Sequence, residues 1–273
     1  MVSKLILKKV GLFFDPSHNN VPVQTIQDWF ERHQIELIVL DWNSSKRQDL
    51  DVIIVMGGDG TVLYVVRTFK GCPVLAINHG NVGFLTAADQ QDWELVISRL
   101  LEQNYVLSER SMLECDYPGG TVYAVNEVVI RGATHMIALD LSINDQHIRR
   151  IRGDGLIVGT STGSTAYLLS AGCPIVMPEV RCMILAGLNE YNFTARHLIV
   201  GHTSEIKIQI TAFTRETDIY LSVDGKEKLP LAINDKIIVK ESNLRAKLIF
   251  MDSNYFFNNL STRLAWNDGL NRN

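Results

Sequence analysis

Cysteine is scarce in this sequence: its 273 residues contain only Cys72, Cys115, Cys173 and Cys182. None of the four forms a C-x-x-C pair, and their spacing does not match that of zinc ligands. This pattern excludes a small disulfide-stabilised scaffold and argues against a structural zinc site. Four reduced thiols are typical of a protein in a reducing compartment, so we expect a cytoplasmic location.

An excess of positive charge and a long apolar segment are also missing. Lys and Arg number 26 against 30 Asp and Glu, which gives a formal net charge of −4. Proteins that bind nucleic acid through its phosphates usually carry a basic excess, and a membrane-spanning helix needs roughly 20 apolar residues in a row. We therefore expect no nucleic-acid partner and no membrane association. The composition, 46% apolar and 21% charged, is that of a globular protein long enough for two domains.

The first hundred residues alternate between apolar runs of strand length and segments with helical spacing. Asp51–Met56 and Pro73–Asn78 read as buried strands, and a helix is predicted over Thr61–Phe69 between them. A second helix is predicted over Asp89–Asn104. Strands that alternate with helices indicate a parallel sheet covered by helices.

After about Tyr105 the apolar runs become shorter and are separated by turn signals such as Asp224-Gly225. One of these runs, Val122–Ile130, reads as a strand, and Thr162–Ala171 looks like a helix start. We therefore predict an α/β N-terminal domain with a parallel sheet and a mostly antiparallel β C-terminal domain, an α+β fold overall. The expected domains are 1–105 and 106–250, with 251–273 packing back on the first.

Gly57-Gly58-Asp59-Gly60 follows a predicted strand and precedes a predicted helix. Glycines let the backbone approach phosphate closely, and a helix start offers N–H donors. Asp59 is unusual beside polyphosphate and suits a metal ligand or a proton acceptor. An ordinary turn in which Asp59 caps the helix is the alternative.

Two further motifs carry polar side chains inside apolar surroundings. Thr160–Tyr167 is a run of small and hydroxyl residues ending in an aromatic ring, which suits a ligand-binding loop; a solvated loop is the alternative. Asn126-Glu127 interrupts the predicted strand, and buried polar groups there would need partners such as nucleotide hydroxyls. A bulge with solvent-facing side chains is the alternative.

The order of these motifs resembles that of the bacterial NAD kinases over most of the chain, from about Asp51 to Trp266. The glycine motif alone is shared with lipid kinases and phosphofructokinases, whereas Thr162–Tyr167 together with Asn126-Glu127 is specific. The matching segments are Gly57–Gly60, Ile77–Leu85, Asn126-Glu127, Asp154-Gly155, Thr162–Tyr167, Tyr255-Phe256 and Leu260–Trp266.

The resemblance implies phosphorylation of NAD by ATP with Asp59 as the catalytic residue and Gly57, Gly58 and Gly60 around the phosphates. It implies a divalent cation, Mg²⁺, held through the triphosphate rather than by protein ligands, and a homo-oligomer, a dimer or tetramer. The NAD-binding residues that it implies are Asp59, Gly60, Phe84, Asn126, Glu127, His135, Arg152, Asp154, Thr162, Thr165, Ala166, Tyr167, Leu168, Leu169, Ser170 and Lys226.

The sequence departs from the family at a few positions. Cys173 stands where a second glycine is usual, Lys226 stands where glutamine is common, and a proline-containing segment is missing around Leu188–Asn192. Two other functions stay open at this point: a lipid-type kinase that shares the glycine motif, and a non-catalytic dinucleotide sensor.

Overall fold

The structure, a computed structural model, describes residues 6–16, 21–44, 49–79, 83–192, 194–211, 218–226, 228–264 and 266. The chain forms two compact units, one made of Met1–Glu109 with Ala246–Asn273 and the other of Arg110–Arg245. Along the chain, the long strands β6 (Val106–Tyr117) and β17 (Lys236–Phe250) each run from one unit into the other. Within the described residues, no helix has the length and apolar character needed to cross a membrane.

The first unit is an α/β unit built on parallel strands. Strand β1 pairs in parallel with β2 and β3, β3 with β4, and β4 with both β5 and the end of β17. The elements are β1 (Lys9–Phe14), α1 (Val23–Arg32), β2 (Glu36–Leu40), β3 (Val52–Met56), α2 (Asp59–Thr68), β4 (Val74–Asn78), β5 (Ala88–Asp89), α3 (Trp93–Leu101) and α5 (Tyr255–Arg263).

Every residue of β3 and β4 is buried, as expected for central strands of a parallel sheet covered on both faces. The core also holds the apolar faces of α1 and α3, including Ile26, Phe30 and Ile97. The helix expected at Asp89–Asn104 is shorter, because a 3₁₀ turn over Gln90–Asp92 precedes α3.

The second unit is almost entirely antiparallel. One sheet has the strand order β13-β12-β11-β8-β15-β16, and β10, β9, β14 and the first part of β17 form another antiparallel group. The strands are β7 (Gly120–Ala124), β8 (Glu127–Gly132), β9 (Ile137–Ile143), β10 (Gln146–Gly153), β11 (Gly155–Thr160), β12 (Cys182–Leu188), β13 (Leu198–Gly201), β14 (Ile206–Ile210), β15 (Ile219–Val223) and β16 (Leu229–Leu231).

The predicted fold class is therefore confirmed: a parallel α/β unit and a mostly antiparallel β unit. The prediction of a single strand over Val122–Ile130 was wrong, since β7 ends at Ala124 and β8 begins at Glu127. The predicted helix start at Thr162 is a 3₁₀ turn over Thr162–Thr165 followed by the short helix α4 (Tyr167–Ser170).

Candidate functional site

The glycine motif forms the connection between the buried strand β3 and helix α2. Gly57 donates its N–H to the carbonyl of Ile77 on the neighbouring strand β4 at 3.0 Å, which fixes the start of the connection. Gly58 is the N-cap residue, and Asp59 is the first residue of α2. The motif thus lies at the carboxyl end of a parallel strand, where open α/β sheets bind their ligands.

Asp59 does not cap its own helix. Its carboxylate instead accepts backbone N–H groups from the segment after β4: Phe84 donates to Oδ2 at 2.9 Å and Leu85 to Oδ1 at 3.0 Å. The side chain is half-buried. Two backbone N–H donors fix the position of the carboxylate, and this geometry removes the interpretation of Asp59 as a simple helix cap.

Gly83 allows this close approach. A Cβ atom at position 83 would lie 1.8 Å from Asp59 Oδ1 and 2.5 Å from its Cγ. Residue 83 is buried, and its N–H donates to Thr86 Oγ1 at 3.2 Å. Gly83 is thus a site residue that the sequence reasoning did not single out. The neighbouring residues 80–82 of the predicted motif lie outside the described residues.

Asn126 and Glu127 lie at the break between β7 and β8, and Asp224 holds that break. Asp224 Oδ1 accepts the N–H of Asn126 at 2.8 Å and of Glu127 at 3.2 Å, and Oδ2 accepts the N–H of Val125 at 3.1 Å. Asp224 is only 8% exposed. Sequence reasoning treated it as part of a turn signal, so its role in shaping the Asn-Glu motif was missed.

The hydroxyl-rich loop packs directly on the same break. Thr160 N donates to the carbonyl of Asn126 at 2.8 Å, and Thr160 Oγ1 donates to the carbonyl of Val125 at 2.6 Å. A Cβ atom at Gly163 would lie 2.3 Å from the Asn126 carbonyl oxygen, so only glycine permits this contact. The loop is therefore anchored rather than solvated along its length.

Glu127 is a buried acid beside another buried acid. Its burial, and then the neighbouring Asp224 carboxylate, raise the pKa of Glu127 to about 8, while a hydrogen bond from the backbone N–H of Tyr167 lowers it. The residue is 5% exposed, and Oε2 has no hydrogen-bond partner among the described residues. A buried carboxyl with one oxygen unpartnered is a group that a polar ligand can satisfy.

The remaining predicted residues of this loop differ in exposure. Thr162 is buried and accepts a hydrogen bond from Arg110 at 3.2 Å, whereas Tyr167 is half-buried at the start of α4. Leu168 is fully buried, and Cys173 is buried in the same core cluster. The cysteine that stands where the family usually has glycine therefore packs against apolar side chains. Thr165, Ala166 and Leu169 are half-buried, and Ser170 is exposed.

Four other predicted residues belong to the second unit. Asp154, between β10 and β11, accepts a hydrogen bond from Asn189 Nδ2 at 2.6 Å. His135 bonds to Thr134 at 2.9 Å in the β8–β9 connection, and the Arg152 side chain is exposed on β10. Lys226 is exposed in the turn after β15. Among the predicted residues, a hydrogen bond joins Tyr167 to Glu127, which follows Asn126 directly in the chain.

Comparison with known proteins gives matches along most of the chain. Residues 17–105 match the ATP-NAD kinase N-terminal domain, and residues 125–251 match the ATP-NAD kinase C-terminal domain. An NAD kinase of Symbiobacterium thermophilum is 36% identical over 80% of this chain and 79% of its own length. An NAD kinase of Pectobacterium atrosepticum is 33% identical over 82% of this chain and 79% of its own.

Two solved structures share the fold. A yeast NADH kinase complexed with NADH has a TM-score of 0.83 at 24% identity and covers 96% of this chain and 88% of its own. An NAD kinase from Archaeoglobus fulgidus in complex with ATP has a TM-score of 0.79 at 26% identity, and the match covers 93% of this chain and 97% of its own.

Proposed function

Because the chain belongs to the NAD kinase family, we propose that it transfers the γ-phosphoryl group of ATP to the 2′-hydroxyl of the adenosine ribose of NAD, giving NADP. The observation that carries the proposal is the placement of Asp59. Its carboxylate is fixed at the carboxyl end of a buried parallel strand, next to the glycines of the β3–α2 connection.

In this reaction Asp59 accepts the proton of the ribose hydroxyl. The hydroxyl oxygen forms a bond to the γ-phosphorus, the bond from that phosphorus to the β–γ bridging oxygen breaks, and ADP leaves. A ribose hydroxyl is a weak nucleophile, and a carboxylate within hydrogen-bond reach both orients it and removes its proton. An ionised carboxylate has about four acceptor positions, so the two N–H bonds leave room for the hydroxyl.

Gly57, Gly58 and Gly60 surround the phosphates in this proposal. Gly58 has no atom within 4 Å of the position that a Cβ would take, so the backbone there is open to a ligand. Backbone N–H groups at the start of α2 offer donors to a phosphate, and the helix dipole favours negative charge there.

The NAD-binding residues in this proposal are those implied by the family, and the environment of Glu127 supports the assignment. A raised pKa keeps its carboxyl protonated at neutral pH, so that it can donate a hydrogen bond. Glu127 Oε2, buried and without a described partner, and the half-buried ring of Tyr167 suit a ribose hydroxyl and an adenine face, respectively.

Mg²⁺ is part of the proposal as a companion of ATP. Among the described residues, no three His, Cys, Asp or Glu side chains group together as metal ligands. Mg²⁺ retains waters and binds phosphate oxygens with few protein ligands, so in this proposal it is carried by the triphosphate. When bound, it neutralises charge that develops on the phosphoryl group.

We further propose a cytoplasmic location and a dimer or tetramer. The described structure has all four cysteines as free thiols, which suits a reducing compartment. The oligomer follows from the family resemblance alone, and light scattering coupled to size-exclusion chromatography measures it.

The test is a coupled assay of NADP formation by the purified chain with ATP and Mg²⁺. The same assay compares NAD with NADH and ATP with inorganic polyphosphate. Formation of NADP supports the proposal. Binding of NAD without any turnover would instead identify a dinucleotide sensor, and transfer to a lipid but not to NAD would identify a lipid-type kinase.

A further inference from the structure

The C-terminal helix α5 reaches the segment that holds Asp59. Asn259 Nδ2 donates to the carbonyl oxygen of Phe84 at 3.4 Å, and the Arg263 guanidinium carbon lies 5.8 Å from the centroid of the Phe84 ring. Both contacts end on the residue whose own N–H donates to Asp59 Oδ2 at 2.9 Å. The contacts therefore run from α5 through Phe84 to the carboxylate.

Asn259 and Arg263 can act together because of their spacing. Residues four apart lie on the same face of a helix, so one face of α5 contacts both the backbone and the ring of Phe84. The helix is itself anchored: Tyr255 stacks on Phe250 with ring centroids 3.7 Å apart, and its hydroxyl lies 3.1 Å from Ser108 Oγ. Leu260 is buried on the same helix.

The described interaction of the Arg263 cation is with an aromatic ring rather than with a carboxylate. Its Nε and Nη2 atoms are buried and have no hydrogen-bond partner in the described part of the chain. A cation over an aromatic face is attracted by the ring quadrupole, and the attraction is larger when both are shielded from water. Within the described residues, the guanidinium of Arg263 contacts the ring of Phe84.

Phe84 needs such support because the segment around it contributes no regular secondary structure. Residues 83–87 lie between β4 and β5, and the segment depends on the contacts of Gly83, Phe84 and Leu85 for its position. A displacement of Phe84 N–H would move the Asp59 carboxylate, and misplacement of a reacting group by about 1 Å can cost about 10²-fold in rate.

We propose that Asn259 and Arg263 are positioning residues for the catalytic carboxylate, which they hold through Phe84. Helix α5 thereby acts as a clamp on the Phe84 segment. The inference rests on the proposed function, because it concerns the rate of phosphoryl transfer at Asp59. Neither side chain contacts Asp59 directly in the hydrogen bonds described above, so both act through another residue.

The experiment measures kcat and the KM values for NAD and ATP. It compares the wild type with Arg263→Gln, Arg263→Lys and Asn259→Ala. Thr262→Ala is the control, because Thr262 is exposed on the same helix. We expect kcat to fall about 10-fold in Arg263→Gln, about 3-fold in Asn259→Ala, and less in Arg263→Lys, which keeps the cation. KM for ATP should stay within about 2-fold. Thr262→Ala should behave as wild type.

A double-mutant cycle separates positioning from a general structural role. If Arg263 acts through Asp59, then Arg263→Gln placed in an Asp59→Asn background should change the residual kcat by less than about 2-fold, because coupled residues are not additive. An equal loss in both backgrounds would overturn the clamp, as would a wild-type kcat in Arg263→Gln. Thermal unfolding of each variant shows that the comparison is made between folded proteins.

The two proposals fail separately. A wild-type chain that forms no NADP would overturn the proposed function. A wild-type chain that forms NADP, with variants of α5 that match it in kcat, would overturn the clamp alone.

Discussion

Glu127→Gln tests the buried acid pair that Glu127 forms with Asp224. In the folded chain the pKa of Glu127 is raised from 4.5 to about 8, chiefly by burial. The folded state therefore binds more protons than the unfolded state between pH 4.5 and about 8. The contribution of Glu127 to the free energy of unfolding is thus fully present below about pH 4.5 and is lost as the pH rises toward 8. At about 1.4 kcal/mol per pKa unit, that loss amounts to about 3 to 5 kcal/mol.

Glutamine has nearly the same shape as the protonated acid and cannot lose a proton. The free energy of unfolding of Glu127→Gln should therefore match that of the wild type near pH 5 and exceed it by about 3 kcal/mol or more at pH 8.5. Urea unfolding followed by circular dichroism at pH 5, 6.5 and 8.5 measures the difference. Glu109→Gln, at an exposed position on β6, is the matched control.

A difference between Glu127→Gln and the wild type that stays constant from pH 5 to 8.5 would refute the reasoning. A difference of the opposite sign, with the wild type gaining stability as the pH rises, would also refute it. Either result would mean that Glu127 is solvated or ion-paired in the folded chain, contrary to its 5% exposure.

Two further variants test the site. Gly83→Ala places a methyl group 1.8 Å from Asp59 Oδ1 and should lower kcat at least about 10-fold. Gly201→Ala is the control, because a Cβ there meets no atom within 4 Å, and it should leave kcat unchanged. Equal activity of the two variants would contradict the geometry. Tyr167→Ala should weaken NAD binding more than ATP binding in calorimetric titrations, since the ring is assigned to the adenine of NAD, and equal losses would remove Tyr167 from that pocket.

Much of the fold could be predicted from local pattern. The runs Asp51–Met56 and Pro73–Asn78 predicted β3 and β4 almost to the residue, because buried parallel strands are continuous apolar runs. The long strand β6 was missed, because Ser108, Glu109 and Arg110 interrupt its apolar pattern.

The site depends on contacts that local pattern does not encode. The break between β7 and β8 depends on Asp224, which lies 98 residues after Asn126 along the chain and accepts its N–H. The position of Asp59 depends on Phe84 and Leu85, which lie 25 and 26 residues later. The residue types at the site could therefore be predicted, whereas the residues that position them could not.

The most direct test of the account is the rate of NADP formation by Asp59→Asn. Asparagine keeps the shape of the side chain but is a poor proton acceptor. We predict that kcat falls at least about 10²-fold, within the range for loss of a general base, while NAD binding measured by calorimetry is largely retained. A variant with near-wild-type kcat would show that Asp59 is not the base and would contradict the account.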